Sequence, residues 1–257
     1  MGCCTSSILP QVDLPELPPG IKHLTVNSPQ ALYDAFADVA ARSIVGTKTS
    51  APEPTMSWAF EVPEDPLAPL VEDPTAERLA YGKWMATFMM AVAVRHGGCF
   101  ALMDGDGDDA KVVACALNFP PNNKNLHAPG MCEFLFSLTG KAEGKMPKAM
   151  EGKRMAAVDK TMHQSHKAHA KNPHWYVQLL AVDPEAQRQG HGTKLLKFIT
   201  TLGEKSGVPV YLETIGSGAE AFYAKHGFET QARYPVTGGS DTLDVNGGLA
   251  GMVRKAK

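Results

Sequence analysis

The sequence predicts a single mixed α/β domain over residues 21–257, behind a flexible tail of residues 1–20. Short β-rich runs alternate with longer stretches of helical periodicity, the pattern of a sheet covered by helices. The chain has 257 residues and is 44% hydrophobic, enough apolar content to build one large core. No internal repeat divides it.

Each element has its own signal. Residues 1–20 hold several prolines and little periodicity, whereas "IKHLTV" (21–26) reads as a first strand. Ser28 offers an N-cap and Pro29 a first helical position, opening a helix to about Arg42. Residues 46–76 are rich in proline and acid and read as loop. Asp73-Pro74 repeats the start signal, and "ERLAYGKWMATFMMAVAV" (77–94) follows as a second helix. "CFALMD" (99–104) and "KVVACALNF" (111–119) are strands joined by "GDGDD". A calcium loop would need glycine and glutamate where Asp109 and Cys115 stand, so the linker reads as a hairpin turn. Residues 131–172 are helical in parts and basic. "HWYVQLLAV" (174–182) and "VPVYLET" (208–214) are strands on either side of a turn and an amphipathic helix. "GAEAFYAKHGFE" (218–229) is a short helix closed by Gly227. Residues 228–236 and 249–254 supply the last two strands.

Composition narrows the function classes. A net charge of −2 gives no global field for nucleic acid, and no nucleic-acid partner is expected. Five cysteines without zinc or disulfide spacing point to a reducing compartment, hence a cytoplasmic protein. The first twenty residues lack the basic start and apolar core of a secretory signal. The apolar run Trp84–Val94 falls short of the roughly 20 residues a bilayer requires. His163, His166 and His169 share one broad helical face, but no carboxylate or cysteine motif accompanies them. They read as part of a solvated basic face or a substrate-side lid, and no metal is expected.

"AVDPEAQRQGHGTKLL" (181–196) carries the chemistry. A strand end meets an Asp-Pro turn, then Gly190-x-Gly192, then an amphipathic helix anchored by Leu195, Leu196, Ile199 and Leu202. First-turn amides have no partner inside a helix, and the helix dipole favours an anion beside them. Glycine lets that backbone approach a ligand, and Arg188 adds charge. The plainer reading is a tight turn. A dinucleotide fingerprint would need glycine where Leu195 stands, and the Walker lysine is absent.

Gln187-x-x-Gly190-x-Gly192 resembles the acetyl-coenzyme A signature of GNAT-type N-acetyltransferases. The neighbouring blocks "WYVQLLAV", "VPVYLET" and "AFYAKHGF" follow in the order of that superfamily, and with the terminal "GMVRK" they resemble its puromycin N-acetyltransferase-like branch. The resemblance is specific over about residues 163–236, topological over 21–140, and does not cover 1–20. It implies a central mixed, twisted sheet flanked by helices, with two parallel strands splayed apart at the cofactor cleft. It implies that backbone groups at Leu180, Ala181 and Val182 pair with the pantetheine arm. Residues Gln187, Arg188, Gln189, Gly190, His191, Gly192 and Thr193 then form the pyrophosphate loop. Acetyl-coenzyme A is the implied co-substrate and a small-molecule amine the implied acceptor, with direct transfer in a ternary complex. Tyr223 is the implied general acid. Where many members carry an asparagine before that tyrosine, this chain has Gly216–Ala219.

Strand alternation places Val210 and Leu212 on one face and Tyr211 and Glu213 on the other. Glu213, near a strand end in an apolar cleft, is a candidate base or a grip for a cationic substrate; a solvated strand-end carboxylate is the alternative. His174 is a second candidate base or a structural histidine. A protein lysine or N-terminal acetyltransferase, and a non-catalytic acetyl-coenzyme A sensor, stay open as rival functions. Nothing in the sequence sets an oligomeric state.

"MGCCTSS" adds a separate expectation. Gly2 opens a Met-Gly-x-x-x-Ser pattern of N-myristoylation, and Cys3 and Cys4 are placed for S-palmitoylation. One myristoyl chain anchors only marginally, so the cysteines would supply the second signal for peripheral membrane contact.

Overall fold

The computed structural model describes residues 14–60, 67–105, 107, 110–121 and 152–257. The lipidation expectation at Gly2, Cys3 and Cys4 lies outside the described residues, as does most of the stretch 131–172 ahead of its helix. Among the described residues no helix is long and apolar enough to cross a membrane.

The first strand, β1 (Ile21–Leu24), leads to helix α1 (Gln30–Val45). Here the expected start moves. Pro29 is the N-cap, and the Ser28 hydroxyl accepts from the Thr25 amide at 3.0 Å, closing the preceding turn instead of capping the helix. The helix runs past Arg42 until Gly46 turns the chain at φ 76°. The expected loop 46–76 contains a short helix, α2 (Pro54–Ala59), whose N-cap is the Glu53 carboxylate, accepting from the Met56 amide at 2.7 Å. Helix α3 (Ala76–Ala93) starts at Thr75, whose hydroxyl accepts from the Arg78 amide, rather than at Asp73-Pro74.

Strands β2 (Cys99–Asp104) and β3 (Lys111–Phe119) fall where the alternation placed them. Then come α4 (Lys153–His169), β4 (Trp175–Val182), α5 (His191–Ser206), β5 (Val210–Thr214) and α6 (Ser217–Lys225). Strand β6 (Glu229–Tyr234) stops before Pro235, and a small hairpin of β7 (Val236–Gly238) and β8 (Asp241–Leu243) precedes β9 (Leu249–Arg254). That hairpin has no counterpart in the sequence-based expectation.

Seven strands form one mixed sheet in the order β1-β2-β3-β4-β5-β9-β6. The pair β4–β5 is parallel and its neighbours β3–β4 and β5–β9 are antiparallel. One face packs on α1 and α3 through Phe36, Ala40, Met90, Leu117, Tyr176 and Tyr211. The other packs on α5 through Trp175, Leu195, Leu196, Ile199, Val210 and Leu212. Helix α4 joins the first face, over β9 and the small hairpin. Cys99 and Cys115 are fully buried in their strands, where burial pushes both thiols up.

Candidate active site

The parallel ladder between β4 and β5 is short. Trp175 pairs with Val210, Tyr176 with Tyr211 and Val177 with Leu212, and there the pairing ends. β4 runs on to Val182 along β3, while the chain leaves β5 after Thr214 and turns at Gly216, φ 94°. The strands therefore separate, and the β5-facing edge of residues 178–182 has no strand beside it. A register shift sits at the same place: Asn118 faces Val177 and Leu117 faces Leu179, so Gln178 is the extra residue of a bulge. The bulge resets the alternation. Tyr176, Leu179 and Ala181 pack toward α1 and α3, and Val177, Leu180 and Val182 toward α5. Of the residues expected to face the pantetheine arm, Leu180 and Val182 are half-buried and Ala181 is buried, all on the unpaired stretch.

The glycine turn lies at the C-terminal end of that stretch. Asp183 anchors it by accepting from the Glu185 amide at 3.0 Å and pairing with Arg42 of α1. The Gln187 side chain is held inside the protein, donating to Ser50 Oγ at 2.8 Å. Arg188 and Gly190 take left-handed φ values of 63° and 88°, and residues 188–190 are exposed. Gly190 is the N-cap of α5 and brings no capping side chain, so the first-turn amides of His191, Gly192 and Thr193 meet none. His191 Nε2 is buried with no hydrogen bond among the described residues. The two glycines have different reasons to be there. A Cβ on Gly192 would stand 3.2 Å from Val182 and 3.7 Å from Phe222, whereas one on Gly190 would meet nothing within 4 Å. Gly192 thus answers a need for room, and Gly190 a need for positive φ.

Phe222 brings α6 over the start of α5, and Tyr223 follows it. The Tyr223 ring packs edge-on to Phe222 and Phe228, at 5.2 and 5.7 Å between centroids. Its hydroxyl makes no hydrogen bond among the described residues, and burial pushes its pKa up, so it stays a neutral O–H donor at pH 7. The glycines of Gly216–Ala219 leave α6 without a side-chain cap.

Glu213 lies one residue past the last β4–β5 pair, on the opposite face from Tyr223. Tyr211 Oη donates to Glu213 Oε1 at 2.7 Å, while Oε2 is buried and accepts no hydrogen bond among the described residues. Burial raises the carboxyl to about 7, against the lowering influence of the Tyr176 and Tyr211 hydroxyls. Ser165 of α4 lies 2.9 Å from Tyr211 Oη. Space for this contact exists because Gly251 of β9 pairs with Glu213; a Cβ there would collide with Ser165 Oγ. His174 is a neighbour of the cluster rather than a partner of the carboxylate. Its Nε2 lies 2.8 Å from His166 Nε2 and its Nδ1 donates to the Asn172 carbonyl, with desolvation lowering its pKa. His169 meets Tyr234 Oη at 2.8 Å. Among the described residues no group of three or more metal-ligating side chains is arranged around a common point.

The structure therefore sets Leu180, Val182, the turn 187–193 and Tyr223 on the α5 face of the sheet, and Glu213 on the other. Sequence reasoning missed Ser165, Tyr176 and Gly251. The helical spacing of Ser165, His166 and His169 is the one signal that could have marked a polar stripe facing the core.

Residues 151–230 match the family model described as an acetyltransferase (GNAT) domain. No curated protein matches the chain. Among solved structures, one described as histone acetyltransferase HPA2 and related acetyltransferase, from Corynebacterium glutamicum, superposes with a TM-score of 0.54 at 16% identity, over 94% of this chain and 98% of its own. Arylalkylamine N-acetyltransferase 2 from Aedes aegypti gives 0.53 at 14% identity, covering 92% and 99%. A polyamine N-acetyltransferase from Drosophila melanogaster gives 0.51 at 14% identity, covering 91% and 98%. The seven-stranded sheet, its helices and these likenesses show a single α/β domain with the GNAT acetyltransferase fold.

Proposed function

We propose that the protein is an N-acetyltransferase that uses acetyl-coenzyme A to acetylate the primary amine of a small molecule, by direct transfer. One observation carries this reading: the β4–β5 ladder breaks after Val177 and Leu212, with an uncapped helix start at one end of the gap and a buried carboxylate at its rim. The residues present fit the co-substrate. Exposed backbone at 188–190 and the amides of residues 191–193 suit a diphosphate, and Gly192 lets the helix start sit close against Val182 and Phe222. The open edge of Leu180–Val182 suits an amide-bearing arm.

Bound acetyl-coenzyme A would supply an acetyl group activated as a thioester. The chain's own residues manage the protons. An alkylamine is mostly protonated at pH 7, with a reference pKa near 10.4 for lysine. Glu213, raised to about 7, takes that proton at Oε2, because Oε1 is already held by Tyr211. Tyr223 gives its hydroxyl proton to the departing sulfur, and the second N–H proton, released as the amide forms, restores the tyrosine hydroxyl. Buried, raised thiols at Cys99 and Cys115 favour direct transfer over a cysteine relay. The small-amine acceptor is supported by the "LET" strand and the "FY…GF" block, and by relatives in fold whose names specify arylalkylamine and polyamine acceptors.

Calorimetry with acetyl-coenzyme A, followed by a screen of small amines for release of the free thiol, tests the proposal. Saturable binding and turnover of at least one amine are expected. Absence of acetyl-coenzyme A binding by the folded protein would overturn it.

A further inference from the structure

We propose that Ser165, Tyr211 and Glu213 form a directed hydrogen-bond chain, in which Ser165 donates to Tyr211 and Tyr211 donates to Glu213, so that these two neutral hydroxyls fix Oε1 and leave Oε2 to take the ammonium proton. The inference rests on the acetyltransferase reading for its chemistry, and on geometry alone for the chain itself.

The direction follows from counting hydrogens. Tyr211 Oη carries one hydrogen, and a carboxylate oxygen can only accept, so the 2.7 Å contact consumes it. The 2.9 Å contact with Ser165 then requires Ser165 Oγ–H to be the donor. Both hydroxyl residues are buried, at 0% and 1% exposure, so neither has water as a ready alternative. Helix α4, β5 and β9 must meet closely for this, and Gly251 is where they do; any side chain there would displace Ser165. Three elements of the fold thus converge beside Oε1 of Glu213, while Oε2 is buried, with the Tyr176 hydroxyl also against the carboxylate. In the reaction the ammonium N–H bond breaks, its proton joins Oε2, and the nitrogen lone pair becomes free to attack. Ser165 and Tyr211 neither gain nor lose a proton, so they are positioning residues.

Other titratable groups surround the carboxylate. Tyr176 faces it from β4, with Asp159 of α4 acting on Tyr176. His166 lies against the Tyr176 and Tyr211 rings and meets His174, and His169 meets Tyr234 of β6. All are retained in every variant below, so differences between variants report the two hydroxyls.

The test is a carbon-13 carboxyl NMR titration of the full chain, with the Glu213 signal assigned by its loss in Glu213→Gln. Tyr211→Phe is expected to raise the Glu213 midpoint by roughly one pH unit, the worth of a hydrogen bond to a charged group. Ser165→Ala is expected to raise it by roughly a few tenths, through polarisation of the tyrosine. The double variant should match Tyr211→Phe alone, because Ser165 acts only through Tyr211. A Ser165→Ala midpoint equal to wild type, or a further shift in the double variant, would overturn the chain. The acidic limb of kcat/KM should move in parallel with the NMR midpoint. Midpoints that move while no amine is acetylated would uphold the chain and sink the acetyltransferase reading.

Discussion

The two faces of the sheet approach the same gap with opposite chemistry. On the α5 face the groups are backbone and apolar: unpaired amides, glycines, and a tyrosine set among phenylalanines. On the α4 face they are hydroxyls and imidazoles around a buried carboxylate. On the proposed function, a phosphate-bearing co-substrate would need fixed N–H donors that do not titrate, which backbone provides, and a cationic amine a group that changes protonation near neutral pH, which a desolvated carboxylate provides. The gap between β4 and β5 would then let the two meet without mixing their environments.

The comparison breaks most sharply at Glu213. Glu213→Gln is expected to lower kcat/KM for the amine by roughly 10²–10⁴-fold, with co-substrate affinity kept. It should also alter stability in a direction that separates the two roles. The wild-type carboxyl is raised from 4.5 to about 7, so the folded state binds more protons than the unfolded one between those values. Stability from this group is therefore present at low pH and lost as pH rises from about 4.5 through about 7, by about 3 kcal/mol in total. The Gln variant should lose that dependence and be more stable than wild type at pH 8. Urea melts of both proteins from pH 4 to 8 check it; a wild-type stability that does not fall over that range relative to Glu213→Gln would place the carboxylate in solvent.

Tyr223→Phe probes the opposite face, with an expected loss nearer 10²-fold. A thiol has a reference pKa near 8.5, so its thiolate departs with modest help and the acid is worth less than the base. Single-turnover rates on the accepted amine measure this, and a rate equal to wild type would remove the tyrosine from the proton path. The Phe222 and Phe228 contacts survive the change, so the fold is expected to be intact.

The difference between the faces also explains what could be read in advance. Most of the α5 face is encoded contiguously. One run from Trp175 to Leu202 supplies strand, turn, glycines and amphipathic stripe, and a second short block supplies Phe222, Tyr223 and Phe228; local signals suffice for each. The strands at 99–104, 111–119 and 249–254 were legible for the same reason, since alternation and flanking turns mark them. The α4 face is assembled from residues 165, 176, 211, 213 and 251, whose meeting depends on the strand order and on a one-residue bulge at Gln178. Alternation put Tyr211 beside Glu213, but nothing local could announce that Gly251 stands opposite or that Ser165 descends onto them. Helix α2 was missed because its cap is a glutamate, outside the usual capping set, and the β7–β8 hairpin because three-residue strands carry almost no periodicity.

Gly192→Val sharpens the cradle half of the comparison at a lower magnitude. The added Cβ begins 3.2 Å from Val182 and 3.7 Å from Phe222, so a branched side chain must push apart the start of α5 and its neighbours. Acetyl-coenzyme A affinity is expected to fall by roughly tenfold or more, the scale of losing one or two charge-assisted hydrogen bonds to a phosphate. Amine-side behaviour at saturating co-substrate should change far less. Isothermal titration alongside steady-state kinetics separates the two, and unchanged affinity in a folded variant would move the phosphate site away from this turn.

The smallest expected effect belongs to Gly190. Its φ of 88° costs an L-residue steric energy, but a Cβ there points into open space. Gly190→Ala should therefore destabilise the fold by about 1 kcal/mol through backbone strain alone. In a chain of this size that lowers the melting temperature by roughly 2–4 °C. Affinity for acetyl-coenzyme A should stay within about threefold of wild type, because the methyl neither fills the cradle nor removes an N–H. Side-by-side thermal melts and titrations of the Gly190→Ala and Gly192→Val proteins decide the matter. If Gly190→Ala weakened binding as much as Gly192→Val, the exposed N-cap residue would itself lie under the ligand. If neither variant changed binding, the turn would be only a turn, and the α5 face would lose its claim to the co-substrate.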